Sequence, residues 1–157
     1  LIKTLQYDSI YHEHLKYYTL NSLNVFFNYY NFEVFDVEFI KNYGGSIRVY
    51  AARKGIYKVK KSVINCIKYE NKLLEYPDRI FGLFSLQIQN NKKNIVKLIE
   101  KYLKKGKKVV GIGCPGRCST LLNYCKINKN KMKYIAEQKS SLKLNKFLPG
   151  MHIPVID

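Results

Sequence analysis

The stretch from Lys107 to Ala136 constrains the fold of this chain more than any other. Lys107-Lys108-Val109-Val110-Gly111-Ile112-Gly113 is a short apolar run that ends in glycines, Ser119–Tyr124 starts a helix, and Met132–Ala136 is a second short run. Apolar runs of this length, bounded by glycine, read as buried strands. Strand, glycine turn, helix, strand is a βαβ-type unit, which implies a parallel sheet joined by a right-handed crossover. Ile153–Ile156 offers a third strand. The C-terminal half therefore reads as α/β, a Rossmann-like three-layer sandwich with a mainly parallel sheet.

The N-terminal half reads differently. Leu20, Leu23, Phe26 and Phe27 recur at helical spacing behind Thr19, a residue type that caps helix N-termini. Phe32–Ile40 then carries Val34, Phe35, Val37 and Phe39, and Ser46–Ala52 is short and β-branched after Gly44-Gly45. These two strands form a hairpin or are neighbours across a longer loop. The sandwich is thus preceded by a helix and a strand pair. A second helix is expected around residues 61–75, and Pro77 suits the first turn of another. Residues 79–105 are amphipathic, with Lys92, Lys93, Lys97, Lys101 and Lys104 off the apolar face, so these lysines read as a solvated surface.

With 157 residues, 46% hydrophobic and 25% charged, the chain is long and apolar enough to build a core. No apolar run approaches the ~20 residues that span a bilayer, and no secretory signal is recognisable, so a cytoplasmic protein without a membrane partner is expected. The net charge of +17 raises the question of a nucleic-acid partner. The lysines are spread along the chain rather than gathered in a patch, and Lys, Asn, Ile and Tyr are abundant together, which argues for a compositional origin. The four cysteines, Cys66, Cys114, Cys118 and Cys125, lack the paired spacing of a metal knuckle and are expected as packed thiols.

Three segments carry chemistry. Tyr11-His12-Glu13-His14 is the densest titratable group. A histidine exchanges protons near neutral pH, and a tyrosine hydroxyl can donate to a developing oxyanion. A solvated polar turn is the plainer reading of that tetrapeptide alone. His12 and His14 have no third ligand at a familiar offset, so no metal site is expected. The second segment, Gly111–Thr120, has Gly-x-Gly-x-x-Gly spacing between strand and helix, where backbone amides approach a phosphate. Pro115 removes one amide, and Arg117 has the fork that meets phosphate bidentately. Glu137, just beyond the next strand, keeps an NAD-type dinucleotide reading open. The third is the lysine-bearing segment Ser140–Pro154, which suits an anion if it faces the same sheet edge.

Four blocks in order resemble one family: Asp8–Leu15 with Tyr17–Leu20, Gly44–Arg48, Gly111–Tyr124 and Ser141–Pro154. The family is the S-adenosylmethionine-dependent C-methyltransferases of nucleotide-linked deoxysugars. The resemblance implies that residues 1–75 are a linker from an absent donor-binding domain, with the catalytic motif, a helix and a strand pair. It implies that residues 76–157 are a truncated Rossmann-like C-terminal domain. S-adenosylmethionine would be bound mainly by the absent domain and zinc by an absent N-terminal region, so this part alone is expected to be inactive. The partner implied is a nucleotide-diphosphate sugar; the oligomeric state is left open. By resemblance His14 is the general base, Glu13 its orienter or an alternative base, and Tyr11 the enolate or substrate donor. Gly113, Arg117, Ser119, Thr120, Lys143 and His152 become candidates for the nucleotide-diphosphate site. Tyr43, Cys114, Arg117 and Cys118 depart from the residues commoner in the family. The competing readings are the NAD-type module and a basic nucleic-acid-binding domain.

Overall fold

A computed structural model describes residues 1–157, the side chain of Tyr43 excepted. The chain divides into two compact units, Leu1–Thr4 with Lys16–Phe84, and Leu5–Leu15 with Ser85–Asp157.

The first unit packs two helices on an antiparallel ribbon. Helix α1 (Leu20–Tyr29) begins at Thr19, whose hydroxyl accepts from Ser22 N–H while the Ser22 hydroxyl accepts from Thr19 N–H. This reciprocal capping satisfies two of the amides that a helix start leaves without partners. Strands β1 (Phe32–Ile40) and β2 (Ser46–Arg53) pair antiparallel from Phe32↔Arg53 to Ile40↔Ser46. A bulge between Val34 and Asp36 shifts the register, so Val34 and Val37, three residues apart, both point inward. They meet Leu20, Val63 and Cys66, the last two from α2 (Lys61–Leu73). Among the described residues, Glu70 of α2 is the one charged side chain buried with them. Its carboxylate accepts from Leu20 N (2.6 Å), Asn21 N (2.9 Å) and Asn21 Nδ2 (3.0 Å). An acid from another helix therefore completes the N-terminus of α1, where negative charge is favoured.

The second unit is a small parallel sheet with helices. Helix α3 (Pro77–Lys104) enters it from Ser85 onward. Strands β3 (Gly111–Ile112), β4 (Ile135–Ala136) and β5 (Val155–Ile156) follow in the spatial order β3-β4-β5, all parallel. Helix α4 (Gly116–Cys125) joins the first two. The mixed α/β class and parallel sheet agree with the sequence; the expected strand over 107–113 is shorter than its apolar run. Backbone bonds extend β3–β4 pairing from Lys133 N→Val109 O (3.0 Å) to Gly113 N→Ala136 O (2.8 Å). Gly113 has φ +78°, which turns the chain out of the sheet. Helix α4 also starts three residues before Ser119, because Pro115 supplies an extended N-cap and Gly116 the first turn.

The core of this unit contains Ile99 of α3, Leu122 and Cys125 of α4, Ile135 and Val155 of the sheet, and Ile127, Leu148 and Ile153 of the connections. Fully burying an aliphatic side chain such as Ile127, Ile135 or Ile153 stabilises by roughly 1.5–3 kcal/mol. Tyr7, in a 3₁₀ turn (Tyr7–Ser9), joins the same unit. Its hydroxyl donates to Asn91 Oδ1 of α3 (2.9 Å) and its ring meets Tyr124 edge-on at 5.5 Å. Burial, with Cys125 next to it, raises its pKa above the ordinary tyrosine value. No described helix is long and apolar enough to cross a membrane.

Candidate active site

Residues 8–14 form a turn docked on the first half of α4, about a hundred positions later in the chain. Asp8 accepts a bidentate pair from Arg117, Nε at 2.9 Å and Nη2 at 2.7 Å. This contact raises the Arg117 pKa above its usual value. Thr120 Oγ1 donates to the Ile10 carbonyl at 3.2 Å. The Tyr11 ring covers Gly116 so closely that a Cβ there would lie 3.3 Å from Tyr11 Cε2. A side chain at position 116 would therefore press on the aromatic ring and shift it by a few tenths of an ångström.

Within the turn, Tyr11 Oη donates to Glu13 Oε2 at 3.2 Å, and the Tyr11 and His14 rings lie 4.4 Å apart. His14 Nδ1 is 2.7 Å from the Ser9 carbonyl oxygen. A carbonyl only accepts, so in neutral His14 the proton sits on Nδ1 and the basic lone pair on Nε2. His12 and Glu13 face solvent, with His12 Nε2 3.9 Å from Glu13 Oε1. The group is therefore a partly exposed acid–base turn: a histidine held in one tautomer, with a phenol and a carboxylate beside it.

The glycine turn lies in the same unit. A cavity of about 460 Å³ is lined by Gly113, Cys114, Glu137, Ser140, Ser141 and Lys143, among others. The Lys143 ammonium donates to the Cys114 carbonyl. Glu137 Oε2 accepts from Cys114 N at 2.7 Å and Oε1 from Gln138 N at 3.0 Å. The amides of Gln138 and Cys114, and then the charge of Lys143, hold the Glu137 carboxyl below the ordinary value. Cys114 and Cys118 place their sulfurs 3.7 Å apart. Burial, and then its neighbour Cys114, pushes the Cys118 thiol up to about 12, which keeps it protonated.

The structure brings most of the sequence-derived candidates into one unit, but not to one place. Gly113 and Lys143 share the cavity. Arg117 and Thr120 hold the acid–base turn; the bidentate partner of Arg117 is Asp8, not a ligand. Ser119 lies on α4, its carbonyl accepting from Asn123 Nδ2 at 2.8 Å. His152 precedes β5 and lines a different cavity, of about 520 Å³, with Lys129, Lys133 and Phe147. Lys133 and His152 precede parallel strands, so that cavity lies at the opposite sheet edge from Gly113 and Glu137, which follow theirs. Sequence reasoning missed Asp8 as the anchor of the turn and Glu137 as the partner of the Cys114 amide. The position of Glu137 after a strand was the one available signal.

The second unit thus brings an acid–base turn and a glycine turn together on one small parallel α/β frame. The chain belongs to the C-methyltransferase C-terminal domain family, which matches residues 41–157. It is similar to the C-methyltransferase NovU of Streptomyces niveus, with 31% identity over 156 residues, 99% of this chain and 37% of that protein. The chain thus spans just over a third of the length of that relative. The family match begins beyond Tyr11–His14, whereas the alignment with NovU takes in nearly the whole chain.

Proposed function

We propose that this chain is the acid–base and substrate-holding part of an S-adenosylmethionine-dependent C-methyltransferase acting on a nucleotide-linked keto-deoxysugar. The observation that carries the reading is the docking of Tyr11–His14 on α4 through Asp8–Arg117, Thr120 and Gly116. It joins an acid–base group and a glycine turn in one unit, as a ketosugar carried on a nucleotide requires.

The carbon beside a sugar carbonyl bears an acidic proton. His14 Nε2 takes it, while Nδ1 keeps its proton on the Ser9 carbonyl. The electron pair passes to the carbonyl oxygen, and Tyr11 Oη turns its one proton from Glu13 to the enolate oxygen. Glu13, bonded to Tyr11, orients this hydroxyl or serves as an alternative base. S-adenosylmethionine, bound mainly outside this chain, supplies a methyl group on a sulfonium centre. Arg117 and Thr120 position the acid–base turn, and Gly113, Ser119 and Lys143 border the nucleotide-diphosphate path at the strand ends. His152, at the other edge, takes no part in this reading. Among the described residues no three His, Cys, Asp or Glu side chains gather as a metal site, so no zinc step is assigned here. Residues 1–75 act as the link to a donor-binding domain, and the β3-β4-β5 order supports a larger Rossmann-like sandwich around residues 76–157. The four thiols suit a reducing cytoplasm.

Two measurements test this. The intact enzyme should transfer methyl from S-adenosylmethionine to a 4-keto nucleotide sugar. In His14→Asn, solvent-deuterium exchange at the carbon beside the carbonyl should fall by about 10²–10⁴-fold. Unchanged exchange removes His14 as the base.

A further inference from the structure

Two thiols at the glycine turn have no part in the acid–base step. Cys114 follows Gly113 at the end of the β3 pairing, Pro115 caps α4, and Cys118 lies in the first turn of that helix, its N–H donating to the Pro115 carbonyl at 3.0 Å. The sulfurs of Cys114 and Cys118 face each other at 3.7 Å. A disulfide bond is about 2.05 Å long, so closure needs an approach of roughly 1.7 Å. Rotation about the two Cα–Cβ bonds and a small movement of the turn supply it, and glycines at 113 and 116 flank the pair. Cys114 is shielded from bulk solvent, yet it lines the cavity of about 460 Å³, and Cys118 is half-buried beside it. Cys66 and Cys125, by contrast, are packed in the two cores.

We propose that Cys114 and Cys118 form a reversible disulfide, a redox switch that ties the strand-end turn to the start of α4. The oxidant is a low-molecular-weight disulfide. The Cys114 thiol loses its proton and attacks one sulfur of the oxidant through the cavity; the oxidant's S–S bond breaks, and one small thiol leaves with a proton. Cys118 then attacks the Cys114 sulfur of the mixed disulfide, and its proton goes to the second departing thiolate. Two protein thiols lose two electrons, and one small disulfide becomes two thiols. Burial keeps Cys118 protonated, so the dithiol is the resting state. The bond acts on the site because its ends carry the contacts of the site. The Cys114 N–H donates to Glu137, the Cys114 carbonyl accepts from Lys143, and Arg117, next to Cys118, holds Asp8. Drawing the sulfurs together shifts these groups, so oxidation alters both the cavity and the seat of Tyr11–His14.

Equilibration of the native protein with mixtures of reduced and oxidised glutathione, followed by alkylation and peptide mass mapping, tests this. In excess oxidised glutathione more than about half of the protein should carry a Cys114–Cys118 bond, and reduced glutathione should reverse it. Cys118→Ala should stop at a mixed disulfide on Cys114. Hydrogen exchange at the amides of residues 9–14 should differ by about threefold or more between the dithiol and disulfide forms. If all four thiols remain alkylatable, or a bond joins other cysteines, the disulfide is overturned. If the bond forms and those amides exchange equally in both forms, the switch is overturned. Should Cys118→Ala lose its circular-dichroism signature, the wild-type map and exchange decide alone.

Discussion

Arg117 and Asp8 lie 109 positions apart, and their bidentate contact holds the acid–base turn on α4. Arg117→Lys keeps the charge and removes the planar fork; Asp8→Asn keeps the shape and removes the charge. Shielded hydrogen bonds to charged groups contribute about 1.5–3 kcal/mol each, whereas exposed ion pairs contribute about 0.2–1 kcal/mol. The side chains of Arg117 and Asp8 are 33% and 23% exposed, between those limits. Solvent screening then leaves a coupling of roughly 1–2 kcal/mol for the pair. Urea unfolding of the wild type, both single variants and the double variant measures it as a double-mutant cycle. Native-state hydrogen exchange should locate the loss, with amides of residues 9–14 exchanging faster and those of β3–β5 little changed. In the intact enzyme kcat should fall, because displacement of His14 by about 1 Å costs on the order of 10²-fold. A coupling under about 0.3 kcal/mol, the limit of additivity for independent sites, would refute the anchoring role.

Glu70→Gln should destabilise the first unit by about 1–3 kcal/mol, since one amide oxygen cannot serve the Leu20 and Asn21 donors together; thermal or urea unfolding measures it. The stability contributed by Glu137 should be present above the unfolded glutamate pKa of about 4.3 and be lost as pH falls through its lower folded value, because its folded-state pKa is depressed. Glu137→Gln should therefore flatten the acid limb of the stability–pH curve below about pH 4.3, and an unchanged limb would show that the carboxylate is not held by those amides.

Local patterns were enough for most elements. Thr19 caps α1 because a hydroxyl three residues before a serine completes a local pair of bonds. Alternation and β-branching placed β1 and β2, and apolar runs around glycine placed the parallel sheet, since each rule acts over a few residues. Boundaries were less legible. The start of α4 at Gly116 and the end of β3 pairing at Gly113 depend on backbone angles that several residues set together. The bulge at Val34/Asp36 was not legible at all, because it answers to which residues α1 and α2 press on the ribbon.

The candidate site divides in the same way. The residue types were readable: a histidine, a phenol and a carboxylate side by side, and glycines where the chain turns. The order of four blocks along the chain, taken with the family match, sets the class to which it belongs. Partnership was decided only by the tertiary structure. A free guanidinium in a glycine turn looks like a phosphate ligand, yet its bidentate contact with Asp8 makes it an anchor. His152 and Lys143, nine positions apart, end at opposite sheet edges because β5 lies after one and the strand-end cavity beside the other. Side-chain chemistry is local and survives in the sequence; which groups share a face is set by chain reversals and long-range packing, and these exist only in the fold.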